Sequence, residues 1–482
     1  MNRSGGLDRI AAAALVAAGL LFGGCYGLHA SKGGGQVRFD GTRDVDPHDV
    51  LVPEGYTIEV IATGLTYPTG IAIDEGGTVY VTESGYSYGA EPGTARLLRI
   101  DPDGSSTVLA ESGNPPWNGV DLHDGMLYVA GGHVREGEVL CVSMDGAVTQ
   151  LAGGLPSLGD HHTNGPVVHD GYVYFGQGTA TNAAVVGPDN YDFGWLAAHP
   201  DFHDVPCEDV TLAGENYESR DLLSGRGRVS TGAFVPYATP TDAGQVIPGA
   251  VPCSGSILSV PIDGGGIELV AWGLRNPFGL AFAPDGALYV TENGYDDRGS
   301  RPIWGTGDYL WRIEEGTWYG FPDFAGGVPI SAFEPPGDPE PKSLLRDMPR
   351  PPRPTALFGV HSSSNGIAFS TNAAFGFEGQ AFVAQFGDMA PDVGKLIDPV
   401  GFRVVRVDVQ TGVVRGFAEN REGHGPATYS GGDGLERPIA VRFSPDGTAL
   451  YVVDFGVLTM TADGPHPYPG TGVIWRIKRS AP

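Results

Sequence analysis

The sequence predicts an all-β chain folded as a six-bladed β-propeller with two long loop insertions. Three observations lead to this prediction. The 482 residues include 76 Gly and 39 Pro, which break helices and favour turns. A pattern of two apolar strands joined by a turn occurs six times, and a further apolar strand follows each copy. Small antiparallel units of this kind bury their faces by stacking around a common axis.

Each copy of the first pattern consists of a Gly or apolar residue, an apolar strand, a turn and a strand centred on an aromatic residue. The copies begin at Gly70, Gly119, Gly165, Gly279, Gly366 and Ile439. Their Asp-Gly and Glu-Gly turns are typical of hairpins. The strands that follow lie at residues 97–100, 139–142, 257–260, 309–313, 404–407 and 473–477. Six copies of each pattern predict one propeller domain over residues 51–480, closed by a strand from Tyr56 to Ile61 that joins the last blade.

The spacing of the copies locates the two insertions. The first two intervals between copies are 49 and 46 residues, whereas the third and fourth are 114 and 87 residues. The excess lies at residues 179–256 and 296–360, which are rich in Pro and Gly. Long loops on a rigid scaffold commonly shape a binding face. The alternative is that they are tolerated surface insertions.

The first 24 residues have the features of an export signal peptide. Arg3 and Arg9 form a short basic start, and residues 10–22 form an apolar run of 13 residues, which is too short to cross a bilayer. The Leu-Leu-Phe-Gly-Gly sequence before Cys25 resembles the cleavage box of bacterial lipoproteins. We expect an exported protein, periplasmic or at the cell surface, with a lipid on Cys25 and a flexible tether at residues 25–50. Cleavage without a lipid is the alternative.

The charge balance excludes one class of partner. The chain has 29 Lys+Arg against 57 Asp+Glu, a formal net charge of −28. Nucleic acid requires a basic face, so a nucleic-acid partner is not expected. Adhesion to an anionic membrane through protein charge is disfavoured for the same reason.

The cysteines indicate an oxidising compartment and exclude several cofactor sites. The absence of a C-x-x-C motif excludes zinc ribbons, thioredoxin-like sites and covalently attached c-type haem. Cys207 and Cys253 each follow Val-Pro in one loop-rich stretch, and we expect them to form a disulfide. Cys141, within Val-Leu-Cys-Val, is expected to be buried in a strand.

Three further patterns are interpreted as loop features without a function. Residues 85–89 match the G-x-S-x-G nucleophile elbow, but that elbow needs a strand-to-helix turn, and here another strand follows. His199 and His203 lie near two Asp residues, but an irregular loop does not by itself bring ligands around a metal. The glycines at 264–266 lie in a hairpin turn and not in a phosphate-binding loop.

Two stretches carry candidate chemistry, each placed before the innermost strand of a predicted blade. In the first, at residues 160–165, His161 and His162 lie between Asp and Asn, a composition suited to a general base and its orienting groups. In the second, at residues 273–279, Arg275 offers a forked set of donors for a carboxylate or a developing oxyanion. A purely structural turn remains the alternative for both.

At these residues the sequence resembles the soluble quinoprotein glucose/sorbosone dehydrogenases, which are six-bladed propellers that use pyrroloquinoline quinone (PQQ) and Ca²⁺. The resemblance spans nearly all of residues 50–480. It is carried by His-Thr-Asn-Gly at 162–165, Arg-Asn-Pro-Phe-Gly-Leu-Ala-Phe at 275–282, Glu-Asn-Gly at 292–294 and Tyr-Gly-Phe-Pro at 319–322. The His-His-Thr-Asn-Gly-Pro sequence is similar to the sorbosone dehydrogenase branch.

The resemblance implies roles for individual residues of this chain. His162 would be the base that takes the proton of the substrate hydroxyl, and Arg275 would stabilise the quinone oxygen, with Asn276 helping to hold the cofactor. The carbonyl groups of Gly294 and Tyr295 would face the Ca²⁺.

The remaining implied residues would complete the metal and cofactor sites. Asp308 would add a carboxylate to the Ca²⁺, which prefers oxygen ligands. Lys395 and Arg437 would pair with the carboxylates of the cofactor. Pro166 and Glu436 stand where the family pattern has cations, and each loss weakens a site for a tricarboxylate.

The expected function is a PQQ-dependent dehydrogenase that oxidises an aldose or a sugar-derived aldehyde and passes electrons to an external acceptor. Two alternatives stay open. One is a Ca²⁺-dependent lactonase or esterase, in which the metal polarises a carbonyl and a histidine activates water. The other is a non-enzymatic propeller that binds glycans or proteins, because propellers host unrelated functions.

Overall fold

Six antiparallel sheets, each of at least four strands, form the body of the protein. They are seen in a computed structural model that describes residues 39–133, 136–335, 337, 339–389, 399–461 and 464–480. The predicted signal peptide, Cys25 and Lys395 lie outside these residues. Among the described residues, no helix combines the length and the apolar character needed to cross a lipid bilayer.

Each sheet is one blade, in which the strands follow one another from the axis outwards. Blade 1 contains Pro68–Ile73, Val79–Glu83, Ala95–Ile100 and Ser106–Ser112. Blade 2 contains Trp117–His123, Met126–Gly131, Gly137–Ser143 and Val148–Leu155. Blade 3 contains Thr163–His169, Tyr172–Gln177, Ser256–Pro261 and Glu268–Trp272. Blade 4 contains Pro277–Phe282, Leu288–Glu292, Gly307–Arg312 and Ala356–Val360.

The last two blades include strands from the start of the chain. Blade 5 contains Ser364–Phe369, Ala381–Gln385, Arg403–Asp408, Val413–Asn420 and, outermost, Val50–Leu51. Blade 6 contains Pro438–Phe443, Ala449–Asp454, Gly472–Arg479 and, outermost, Tyr56–Leu65. The predicted closure is therefore confirmed, because the N-terminal strand pairs with the C-terminal strand. The predicted six-bladed propeller is confirmed with it.

The innermost strands form a closed ring in which each contacts its two neighbours, including Pro68–Ile73 with Pro438–Phe443. The repeated glycine is required by this close approach. A Cβ placed on Gly119 would lie 2.0 Å from the carbonyl oxygen of Gly165, and one on Gly70 would lie 2.5 Å from the Cα of Gly119. Any side chain at these positions would push neighbouring blades apart.

The two insertions form one structure beside blades 3 and 4. Residues 178–255 leave the second strand of blade 3, whereas the second insertion is divided by the strand Gly307–Arg312 into residues 293–306 and 313–355. The two insertions are joined because Val210–Leu212 pairs with Leu345–Arg346. The predicted Cys207–Cys253 disulfide is confirmed within the first insertion, and Cys141 is buried and free as expected.

Short elements complete the insertions and the remaining loops. Two helices, Pro188–Asp192 and Trp195–Ala198, lie in the first insertion with the strands Tyr217–Arg220, Arg228–Thr231 and Val246–Ile247. The second insertion contains Phe324–Ala325, Val328–Pro329 and the 3₁₀ helix Ile330–Ala332. Elsewhere lie the 3₁₀ helix Pro47–Asp49, the helix Ala427–Ser430 and the hairpin Leu458–Thr461 with Gly464–Pro467.

The end of the propeller at which the innermost strands begin is called the upper face. In antiparallel blades, the loops after the second strands reach this same face. At the opposite end, Arg442 of blade 6 forms an ion pair with Asp121 of blade 2, past the intervening blade 1. This contact ties blade 6 to blade 2 at the lower end of the ring.

The segment before the propeller is held to blade 6 by a buried ion pair. Arg43 donates to Asp454 at 2.6 Å and to the carbonyl oxygen of Gly434 at 2.9 Å. The side chains of Arg43 and Asp454 are 4% and 0% exposed. Residues 39–50, the described end of the stretch predicted as a tether, therefore contact the propeller body.

Replacing Arg43 by Ala should lower the free energy of unfolding by about 3 kcal/mol, because the buried carboxylate of Asp454 loses its cation. Arg476→Ala is the matched control, since Arg476 pairs with Glu59 at a side-chain exposure of 32% and 39%. The control should cost less than about 1 kcal/mol. Urea unfolding of both variants checks this, and equal losses would contradict it.

Candidate functional site

Three loops meet on the upper face around the axis, each leading into an innermost strand. The loop before blade 3 carries His162, the loop before blade 4 carries Arg275, and the loop before blade 5 carries His361. The structure thus places the predicted histidine and arginine on adjacent blades. It also adds a histidine that the sequence interpretation did not include.

A chain of asparagine amides joins these loops. The links run from Asn118 to Asn164 at 3.0 Å, on to Asn276 at 3.0 Å, to Asn293 at 2.8 Å and to Asn365 at 3.3 Å. The side chain of Asn276 is therefore fixed from both sides. Because it uses one amide hydrogen and one lone pair here, it keeps one of each for a ligand.

His162 has the clearest signature of a ligand-binding group. The residue is 7% exposed, and its Nε2 is buried without a hydrogen-bond partner among the described residues. The ring lies 4.6 Å from that of His133, 6.0 Å from Tyr86 and 6.5 Å from Tyr88, measured between centroids. A buried polar atom left unpaired costs about 1–3 kcal/mol. A ligand hydroxyl that formed a hydrogen bond with Nε2 would remove this cost.

The surroundings of His162 keep its imidazole neutral. Burial lowers the pKa of His162 well below 6.5, and the neighbouring His133 lowers it further. The adjacent His161 is a structural group, because its Nδ1 lies 3.0 Å from the carbonyl oxygen of Thr179. Of the two predicted histidines, only His162 has a fully buried nitrogen without a hydrogen-bond partner among the described residues.

Arg275 is buried and oriented by several partners. It donates to Asn182 through Nε and Nη2, to Asp296 through Nη2 at 2.8 Å and to the carbonyl oxygen of Gly294 through Nη1. Its backbone N–H donates to Glu292 at 2.6 Å. Four of its five side-chain N–H groups are used by described atoms, which leaves one on Nη1.

Alternating charges surround Arg275. Arg298 pairs with Asp160 at 2.6 Å, with Asp189 at 2.7 Å and with Asp296 at 3.1 Å. Burial alone would raise the pKa of Asp296, but the charges of Arg275 and Arg298 hold it well below its usual range. Burial raises the pKa of Asp189 to about 6.

The residues predicted to hold Ca²⁺ lie close together. The carbonyl oxygen of Gly294 accepts from Arg275, and that of Tyr295 accepts from Thr306 at 3.0 Å. Each carbonyl keeps one lone pair, so the two fit a hard cation that takes its other ligands from water and a cofactor. Within the described part of the chain, no cluster of three or more His, Cys, Asp or Glu side chains has metal-binding geometry.

Asp308 is held by three donors. It accepts from the backbone N–H groups of Gly294 and Ser364 at 3.0 and 2.8 Å and from the hydroxyl of Ser362 at 2.8 Å. Asp308 thus joins the loop after the second strand of blade 4 to the loop before blade 5, and it fixes the Gly294 peptide. Its direct contact with a metal stays a prediction.

Arg437 is fully buried below the loop that follows the second strand of blade 5. It donates to the carbonyl oxygens of Gly387 at 3.2 Å and Leu458 at 3.1 Å, and it lies 4.9 Å from the rings of Phe386 and Phe402. It therefore holds the base of the loop that carries Lys395, which lies outside the described residues. Contacts of Arg437 and Lys395 with a cofactor stay predictions.

The patterns interpreted as non-functional have the expected local structure. Residues 85–89 connect two strands, as expected, but Tyr86 and Tyr88 from this loop pack against His162. His203 contacts the carbonyl oxygen of Asp201, and no metal cluster forms there among the described residues. The two tyrosines were not predicted from the sequence, because residues 85–89 were compared only with the nucleophile elbow motif.

Solved structures share this architecture. The chain matches the holo form of the pyranose dehydrogenase PQQ domain from Coprinopsis cinerea over 92% of its length and 98% of that domain, with 15% identity and a TM-score of 0.54. It matches a Trichoderma reesei member of the carbohydrate-active enzymes family AA12 over 92% and 100%, with 17% identity and a TM-score of 0.53. This chain has their fold. A glucose dehydrogenase structure matches over 87% and 99%, with 16% identity and a TM-score of 0.51.

Sequence comparison adds nothing to these structural matches. No family model matches the chain, and no curated protein matches it. At 15–17% identity the structural matches show the fold and leave the activity to be argued from the site.

His162→Leu should reduce the pH dependence of stability. Below pH 6.5 the unfolded wild type protonates this histidine while the folded protein does not, so stability falls as the pH falls. The wild type should lose about 1.4 kcal/mol more than the variant for each pH unit below 6.5. Urea unfolding at pH 7.5, 6.5 and 5.5 measures the difference. If the free energy of unfolding changed with pH equally in the wild type and the variant, the buried, neutral environment of His162 would be refuted.

Proposed function

We propose that the protein is a quinoprotein dehydrogenase that oxidises an aldose or a sugar-derived aldehyde and passes the electrons to an external acceptor. The observation that carries this proposal is the unpaired, buried Nε2 of His162 on the upper face. A neutral imidazole nitrogen without a protein partner among the described residues is suited to accept the proton of a substrate hydroxyl.

The corner formed by Arg275, Asn276, Gly294 and Tyr295 supports PQQ and Ca²⁺ as the cofactors. Asn276 and Arg275 each keep hydrogen-bonding capacity, and the two carbonyl oxygens each keep a lone pair. When bound, PQQ with Ca²⁺ supplies the acceptor for the substrate hydride. Arg275, whose charge is fixed and whose backbone is held by Glu292, would hold the oxygen that gains negative charge.

The substrate would lie between this corner and the rings of Tyr86, Tyr88 and His133, which surround His162. Tyr86 and Tyr88 would line the space beside the imidazole of His162. Burial raises the pKa of Tyr86 to about 12, so its phenol stays neutral beside the reacting hydroxyl. His133, whose pKa is also lowered by burial, stays neutral as well and adds no positive charge that would oppose proton transfer to His162.

Export and lipid anchoring complete the proposal. The Cys207–Cys253 disulfide supports an oxidising compartment, which for this chain would be the periplasm or the cell surface. The lipid on Cys25 rests on the sequence pattern alone.

His162→Gln should lower kcat/KM for sugar-dependent dye reduction by about 10²–10⁴-fold, because the amide cannot take up a proton. Binding of PQQ with Ca²⁺, measured by fluorescence quenching of the chelator-stripped protein, should be unchanged. His48→Gln is the control and should keep full activity, because the side chain of His48 is exposed and belongs to no part of the candidate site. Saturable PQQ binding without any oxidation over an aldose and aldehyde panel would overturn the proposed substrate class, and absence of PQQ binding would overturn the proposal itself.

A further inference from the structure

His361 is a second upper-face histidine with an unused nitrogen. It lies in the loop before the innermost strand of blade 5, and its side chain is 11% exposed. Its Nε2 is buried without a hydrogen-bond partner among the described residues, as is that of His162. The two residues occupy corresponding loops of blades 3 and 5, on either side of the loop that carries Arg275.

The carboxylate of Asp296 sets the tautomer of His361. Nδ1 of His361 lies 3.3 Å from Oδ1 of Asp296. A carboxylate only accepts hydrogen bonds, so Nδ1 carries a proton, and in this tautomer Nε2 is a hydrogen-bond acceptor. The other oxygen of Asp296 accepts from Arg275 at 2.8 Å and from Arg298 at 3.1 Å. His361 is thus joined to Arg275 of the candidate site through Asp296.

The backbone around His361 is held in an unfavourable conformation. His361 and Ser363 have φ angles of 57° and 48°, in the left-handed region, at a cost of about 1–3 kcal/mol each. Asp308 holds the loop in place through Ser362 and Ser364. The strained backbone and the unpaired buried nitrogen both carry a cost, and both occur at His361. Such costs are typical of residues that are oriented for a ligand.

We propose that His361 is a second substrate-binding residue, whose Nε2 accepts a hydrogen bond from a hydroxyl group that does not react. This inference rests on the proposed function and deepens it. A single ligand that pairs with the buried nitrogens of both His162 and His361 carries at least two hydroxyl donors. The preferred substrate class is therefore a polyhydroxylated sugar, in place of a simple alcohol or aldehyde.

The site should discriminate between sugars by the presence of one hydroxyl. A sugar that lacks the hydroxyl facing His361 leaves the acceptor unpaired, which should weaken binding about tenfold. In His361→Phe the acceptor is absent, so the parent sugar should bind about tenfold more weakly and the deoxy sugar should bind as it does to the wild type. His361→Gln, which keeps an acceptor oxygen, should restore part of the preference.

The test is calorimetric titration of the full chain, without cofactor, with a monosaccharide and its series of monodeoxy analogues. His48→Gln is the matched control, because His48 pairs with Asp46 at 2.7 Å on the exposed surface and should leave every affinity unchanged. Thermal unfolding of His361→Phe verifies that the variant is folded. If that variant does not fold, the comparison of His361→Gln with the wild type across the same analogues decides the question.

The possible outcomes separate this inference from the proposed function. Loss of discrimination at one hydroxyl in His361→Phe supports the inference, whether or not the protein oxidises sugars once PQQ and Ca²⁺ are added. The inference would be overturned if His361→Phe bound all analogues equally more weakly, or if its affinities were unchanged. It would also be overturned if the wild type bound no member of the series. Sugar oxidation that proceeds equally in wild type and His361→Phe would support the dehydrogenase and remove the role of His361.

Discussion

The upper face depends on one recurrent hydrogen bond. In three blades an acidic side chain at the end of the second strand accepts the backbone N–H of a residue 17 positions earlier, in the loop that leads into the innermost strand. The pairs are Glu83 with Thr66, Glu292 with Arg275, and Asp454 with Arg437. Each bond fixes where a loop leaves the scaffold. The direction of Arg275 is therefore set by the blade itself and not by the loop alone.

These anchors are costly groups to bury, and further hydrogen bonds compensate for Glu292 and Asp454. Glu292 also accepts the indole N–H of Trp311, and burial raises its pKa to about 7. Asp454 accepts from Arg43 and from the indole N–H of Trp475. Around Arg275, the carboxylate of Asp296 balances the guanidinium and also orients His361. The scaffold and the candidate site thus share one network of buried charges, and a substitution in either will affect both.

The repeated parts of the fold could be predicted from the sequence, and the site could be predicted only in part. Six copies of a strand pattern fix the blades, because each strand carries its own periodic signal, and the matching Val-Pro-Cys contexts identified the disulfide. His162 and Arg275 precede innermost strands, so their loops could be placed. Tyr86 and His361 could not, since their importance comes from the neighbours that folding brings to them. Asn-Gly follows the first residue of both innermost strands, at 164–165 and 365–366, and a histidine precedes it by two residues in blade 3 and by four in blade 5. This partial similarity is the sequence signal that points to His361.

The buried pair between Arg43 and Asp454 also fixes where the N-terminal segment meets the propeller. Phe39 lies 4.7 Å from the ring of Tyr468, and Arg43 contacts Gly434, so the chain reaches the propeller at the upper face. From Cys25 to Phe39 there are 14 residues, which span at most about 50 Å when extended. A lipid on Cys25 would therefore hold the upper face within about 50 Å of the membrane surface.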